Sequence, residues 1–298
     1  MSLEICVLGS GSSGNATVLR SPWGVILIDA GFGPRATAQR MSGTGLGLKD
    51  IAAICLTHLD TDHFNKYWYQ TILKQRIRIF CHRSKMKEVV ACAEARAWAA
   101  DPRLKRLGVG PIEELVQAFD GESFEPLSGL KLRPFALEHD TTGSHGFVVE
   151  SGSVRMGFAT DLGRVPEELL ENFCGVDILA IESNYDPEME RTSDRPWHLK
   201  QRIMGGKGHL SNEQALAAVV GILDRCEARH GARKLPRHIV LLHRSRQCNC
   251  PKLLRRLFSR DPRIAAVLTL ADQHEPTGWL RCRGEVPLVG EQMVLGLG

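Results

Sequence analysis

The segment Thr57-His58-Leu59-Asp60-Thr61-Asp62-His63 decides how the rest of the chain is read. It follows the apolar run Ala52-Ala53-Ile54-Cys55-Leu56 and precedes a helical pattern over 64–75. That places it on a loop at the C-terminal end of a strand. Four potential metal ligands, His58, Asp60, Asp62 and His63, fall within six residues. A transition-metal centre needs imidazoles and carboxylates converging from one tight loop, because a preformed loop limits the ordering entropy of chelation. A solvated loop with chance His and Asp would read the same way in isolation. Three later positions argue against chance. His139, Asp161 and His243 each follow an apolar run, at a strand exit where loops gather and sites are built.

Working outward, apolar runs predict strands over 4–8, 16–20, 25–29, 52–56, 77–81, 130–137, 146–150, 154–159, 177–182, 238–242 and 265–270. Helical patterns cover 64–75, 84–100 and 211–228. The last opens on Ser211 as N-cap with Gln214 completing a capping box. The early strands lie too close together for βαβ crossovers, so the first half reads as antiparallel or mixed. No repeat, low-complexity tract or linker divides the chain. One α/β domain over 1–298, mixed sheets covered by outer helices, is the economical architecture.

Gly9-Ser10-Gly11-Ser12-Ser13-Gly14 imitates a dinucleotide-binding fingerprint, yet only 14 residues separate Gly14 from Asp29 and they read as strand–turn–strand. A Rossmann unit needs a full helix there. The loop is better suited to passing backbone close to a site, with Ser12, Ser13 and Asn15 able to hydrogen-bond an anion.

A chain of 298 residues buries about three quarters of its unfolded surface, so no disulfides are needed to hold a core. Hydrophobic residues at 43% and charged residues at 24% exclude wholesale disorder and fibrous repeats. Thirty-eight Lys and Arg against 34 Asp and Glu leave a net +4, mildly basic and compatible with a polyanionic partner. No apolar run approaches the ~18 residues of a membrane span, and Met1–Ser10 carries no export leader. Nine scattered cysteines do not form a disulfide framework. A cytoplasmic protein with no membrane partner is expected.

The order His-x-[His/Asp]-x-Asp-His, then His, Asp and His, resembles the metallo-β-lactamase superfamily. That resemblance implies a four-layer αβ/βα sandwich with two divalent ions at its edge. One ion would take His58, Asp60 and His139; the other would take Asp62, His63 and His243, with Asp161 bridging. Asp60 stands where His is the rule. A hard carboxylate oxygen there favours manganese or iron over zinc, or weakens the site.

The text around His139 lacks Pro-Gly-His-Thr, and Glu182-Ser183-Asn184 with Gly208-His209-Leu210-Ser211 resembles the phosphodiesterase and nuclease branch. Gly11–Asn15, Leu27–Gly31, Ala159–Gly163, Pro196–Lys200 and Gly208–Asn212 together resemble the YycJ/WalJ/VicX group, described as 5′→3′ exonucleases on DNA. The resemblance implies a phosphodiester or nucleic-acid substrate and a water acidified by the ion pair that attacks phosphorus in line. It makes Asp62 a catalytic residue that helps place that water, and His209, oriented by Glu182, the acid for the leaving oxygen. Asn184 joins Ser12, Ser13 and Asn15 as expected substrate contacts. Basic runs at 74–87 and 244–256 could neutralise phosphates, though a solvated charged face is their commoner meaning. Tyr67, Trp68 and Tyr69 could stack bases. Two other readings stay open: a thioester or lactam hydrolase of the same fold, and a non-catalytic nucleic-acid-binding protein whose first metal site has decayed. The oligomeric state is left open.

Overall fold

The computed structural model describes residues 2–100, 112–231 and 234–284, with backbone alone for 94–100. Its strands are β1 (Ser2–Gly9), β2 (Ala16–Ser21), β3 (Gly24–Ile28), β4 (Ile51–Cys55), β5 (Arg78–His82), β6 (Val116–Phe119) and β7 (Phe124–Leu127). There follow β8 (Leu130–Leu137), β9 (Ser144–Ser151), β10 (Val154–Ala159), β11 (Ile178–Glu182), β12 (His238–Leu242), β13 (Leu268–Leu270) and β14 (Leu280–Arg283). They form two seven-stranded sheets, ordered β14-β1-β2-β3-β4-β5-β6 and β13-β12-β11-β10-β9-β8-β7.

Period-two alternation decides the layering. Leu3, Ile5, Val7, Ile26 and Ile28 of the first sheet meet Phe147, Val149, Met156, Ile178 and Val240 of the second in one buried layer. Their alternating neighbours Cys6, Leu8, Val25 and Leu27 face outward onto Trp68, Ile72 and Val89. Leu179, Ile181, Ile239 and Leu241 do the same for the second sheet, under Val219, Ile222, Leu254 and Phe258. The outer helices are α1 (Pro34–Met41), α2 (Trp68–Gln75) and α3 (Met86–Ala100) on one side. On the other lie α4 (Glu167–Asn172), α7 (Asn212–His230), α8 (Pro251–Phe258) and α9 (Pro262–Ala265). Two short helices, α5 (Pro187–Thr192) and α6 (Trp197–Met204), precede α7. This is the four-layer sandwich the sequence implies.

The expected strands are present, with one trimmed. Pro262 opens a helical turn capped by the Asp261 side chain, so the strand expected over 265–270 is reduced to Leu268–Leu270. The helix expected from 64 starts at Trp68, because Phe64 is held in a bridge to Ala30. The Ser211–Gln214 capping box forms as read. In each sheet three antiparallel pairings give way to three parallel ones. The parallel strands β3, β4, β10, β11 and β12 therefore deliver their C-terminal ends to a common rim, where the loops that follow them meet.

Candidate metal centre

Every expected ligand emerges at that rim. His58 lies three residues past β4, His139 two past β8, Asp161 two past β10, and His243 directly after β12. Asp29, Asp140, Asp161 and His243 all turn through the left-handed backbone region, with φ of 59, 43, 52 and 50°. Asp and His tolerate this conformation better than β-branched residues do, and it swings the chain sharply off the strand end. The 60–63 loop is pinned by backbone bonds from Asn15 N to Asp62 O and Ala30 N to His63 O, both 2.7 Å. Gly31 makes this approach possible, since a Cβ there would overlap the Asp62 carbonyl.

The ligand atoms gather in four overlapping sets, each within 4.8 Å: His58/Asp60/His139, His58/His63/Asp161, Asp62/His63/His243 and Asp161/Glu182/His209/His243. Each imidazole is oriented through one nitrogen. His63 Nδ1 donates to Asp29 Oδ2 at 2.7 Å, and His243 Nδ1 lies 3.0 Å from Glu182 Oε1. His58 Nδ1 meets the Thr57 hydroxyl at 3.0 Å, and His139 Nδ1 donates to the Gly208 carbonyl at 2.9 Å. The other nitrogens point inward. His58 Nε2 and His243 Nε2 are buried without any hydrogen-bond partner. Orphaned polar atoms in a core cost about 1–3 kcal/mol each, and a mixed nitrogen and carboxylate donor set of this kind suits a divalent transition metal. The residues fit the metal that the fold implies.

Electrostatics agree. Burial opposes charge on His63, yet Asp161 and Asp29 hold it well above the ordinary imidazole range. His243 is pushed up to about 10 against its own burial, by Asp161, Asp62 and Glu182. Asp161 is held well below the carboxylate range by His243 and His63 although burial works the other way. His58 behaves oppositely: burial, reinforced by His63, drives it well below its usual value. A neutral His58 would offer its lone pair to a metal, whereas the carboxylates around His63 and His243 favour protons there that a bound cation would have to displace.

A cleft of about 460 Å³ opens over this cluster, bordered by Asp60, Asp62, His139, Asp161, His209 and His243. His209 Nδ1 lies 2.7 Å from Glu182 Oε1, and its ring is 18% exposed to the cleft. Glu182 is fully buried; its second oxygen accepts Leu162 N and Leu210 N. Of the four expected substrate contacts, Ser12 and Asn184 border the cleft. The Asn184 amide is already bonded to the His243 carbonyl at 2.7 Å. Ser13 turns its backbone N–H to Gln273 Oε1, and Asn15 is buried with its amide on Gly11 O and Asp62 O. Asn15 holds the loop in place and does not line the cleft.

Sequence reading passed over three supporting residues: Asp29, Thr57 and Ser10. Asp29 accepts from Thr57 N and from His63, and Ser10 Oγ accepts from His243 N at 2.8 Å, tying the two sheets together at the rim. Asp29 is an acid at a strand exit, the same signal that marks Asp161. Of the aromatic trio, Trp68 and Tyr69 are core residues, Trp68 donating to Phe32 O at 2.7 Å, while Tyr67 is exposed.

Residues 25–239 match the family model described as Beta-lactamase superfamily domain. The chain belongs to that superfamily, a fold that binds divalent metal. It is 25% identical over 260 residues to the exodeoxyribonuclease YycJ of Bacillus anthracis, covering 87% of this chain and 89% of the relative. It is 26% identical over 217 residues to the exodeoxyribonuclease WalJ of Streptococcus pneumoniae, covering 73% and 76%. Zn2+-bound PqqB from Methylobacterium extorquens shares the fold with a TM-score of 0.61 at 18% identity, over 92% of this chain and 99% of that one. No helix among the described residues is long and apolar enough to cross a membrane.

Proposed function

We propose that this chain is a metal-dependent phosphodiesterase that degrades DNA from a 5′ end. The observation that carries the reading is the convergence of His58, Asp60, Asp62, His63, His139, Asp161 and His243 on one rim beneath an open cleft. His58, Asp60 and His139 would hold one divalent cation and Asp62, His63 and His243 a second, and Asp161, whose oxygens gather both with His58 and His63 and with His243, could serve either. Divalent metal held by these residues would supply acidification of water and neutralisation of charge on the phosphoryl oxygens. The substrate class is supported by the exodeoxyribonuclease relatives. Nine free thiols suit a reducing cytoplasm.

The chain's own side chains supply the rest. Asp29 and Glu182 fix the imidazoles, and Asp62 and Asp161 present carboxylate oxygens to the reacting centre. Glu182 holds His209 by Nδ1, leaving Nε2 to protonate the departing oxygen, a contribution of about 10²–10⁴-fold. Asp60, as an oxygen donor, opens the first position to manganese.

Metal-stripped protein reconstituted with zinc or manganese and offered 5′-phosphorylated duplex, single strand and bis-nitrophenyl phosphate tests the reading. Hydrolysis that returns with metal and disappears with chelator is expected; no cleavage of any diester with any metal overturns it. His209→Ala tests the acid: an ester with a nitrophenolate leaving group should be hydrolysed normally while an unactivated diester is spared. Equal losses on both would retire the role.

A further inference from the structure

The cleft has room for the reacting phosphate and its neighbours, but a polymer continues beyond it. Residues 243–260, which leave the rim after His243, contain six Arg and Lys and no Asp or Glu. Arg244 is neutralised by Asp272 at 2.6 Å. Arg246, Lys252, Arg255, Arg256 and Arg260 are exposed, and among the described residues they have no carboxylate partner. At 3.6 residues per turn Lys252, Arg255 and Arg256 occupy one arc of α8, while Leu254 and Phe258 bury the opposite side against the second sheet. The other basic run is different in kind. There Arg76 pairs with Glu114, Arg83 with Asp120 and Lys85 with Glu88, so much of its charge is spent locally.

We infer that the cationic face of α8, with Arg246 leading into it, is the surface on which the nucleic-acid strand flanking the cleft lies. The inference rests on the reading of the chain as a nuclease. Gln247 borders the cleft, and Lys252 follows five residues later, within about 18 Å even if that stretch were fully extended. The eight residues of α8 extend the track by about 12 Å, or three to four nucleotides at about 3.4 Å each. Exposed, unpaired cations at this spacing match a repeating phosphate charge; they read no base sequence, so the contact is indifferent to sequence.

The test uses the full-length, metal-loaded protein and the triple variant Lys252→Ala/Arg255→Ala/Arg256→Ala, whose side chains are exposed and leave the packed side of α8 unchanged. Affinity for a labelled 20-nucleotide single strand and its duplex, both blocked against hydrolysis by phosphorothioate linkages, is followed by fluorescence anisotropy against sodium chloride. The slope of log affinity on log salt should fall by about 2–3, and affinity at 0.1 M salt by about tenfold or more. Arg246→Ala alone should lower the slope by about one. Bis-nitrophenyl phosphate, too small to reach α8, should be hydrolysed at the wild-type rate. An unchanged slope and affinity overturn the surface. A variant that loses sedimentation with anionic phosphatidylserine vesicles but keeps its DNA affinity overturns it in favour of a lipid surface. Binding is read without cleavage, so a wild-type protein that cuts no diester would overturn the proposed function while the salt slope still decided the surface.

Discussion

The two halves of the candidate metal centre are built to different standards. On the Asp62/His63/His243 side both imidazoles are held by buried carboxylates, Asp29 and Glu182, and the Asp62 side chain is 24% exposed. On the His58/Asp60/His139 side the orienting groups are neutral: the Thr57 hydroxyl, which in turn bonds Asp29, and the Gly208 carbonyl. Asp60 is 46% exposed and its oxygen sits 3.8 Å from His58 Nε2. A carboxylate behind an imidazole raises its basicity and fixes its tautomer more firmly than a carbonyl does. The first half is thus the softer one, open to water and to a change of metal, and the second half is the anchor.

Removing what the halves share should do most damage. Asp161→Ala deletes the carboxylate that touches both, and several kcal/mol of transition-state stabilisation should go with it. We expect kcat/KM on a nitrophenyl diester to drop by about 10³-fold or more, with metal content by elemental analysis falling below one ion per chain. Full metal content with that activity intact would show the halves to be independent.

Asp29→Asn strikes the anchor directly, through His63, and the first half only at one remove, through Thr57. Metal titration should find the tighter of two affinities weakened by about 10–100-fold, with the weaker one moved less. The reverse pattern would mean that the assignment of strong and weak halves is inverted.

Acid tests the neutral scaffolding behind the first half. His145 donates its backbone N–H to Thr57 O and stacks its ring on His82, centroids 4.5 Å apart. Burial, reinforced by His82, lowers its pKa to about 4. Between that value and the ordinary 6.5 the unfolded chain binds a proton that the folded chain refuses. Stability is therefore retained above 6.5 and lost as pH falls towards 4, by up to about 2 kcal/mol after allowing for partial exposure. Urea denaturation of chelated protein should reveal this slope, and His145→Gln should flatten it.

The smallest effect is expected at the most exposed ligand. Asp60→His should shift metal preference from manganese towards zinc by about tenfold, roughly 1.4 kcal/mol, read as the ratio of the two dissociation constants. No shift would mean that Asp60 does not ligate.

Much of this centre was legible along the chain because strand-exit His and Asp residues are few and each follows an apolar run. His58, His139, Asp161 and His243 could be picked out by that rule, His63 by sharing a tight loop with His58, and the cap at Ser211 by its own local chemistry. Local chemistry could not show that Asn15, which looks like an anion contact, turns inward to hold Asp62. Nor could it show that the Thr57 hydroxyl serves two histidines. The strands β6, β7 and β14 went unread because they are four-residue segments without clear alternation, held by their neighbours in the sheet.

What the amino-acid order determined by itself was the alternation that sorts side chains to the two faces of each sheet, the caps, and the chemical identity of the candidate ligands; these are properties of residues within a few positions of one another. Which nitrogen of each histidine faces into the cluster, which half of it is backed by carboxylate, and which of two basic runs keeps its charge unspent were decided only in three dimensions. Those outcomes depend on partners such as Asp29 and His63, or Glu182 and His243, separated by 34 and 61 positions along the chain. Only the parallel pairing of β3 with β4 and of β11 with β12 brings such pairs within hydrogen-bonding reach.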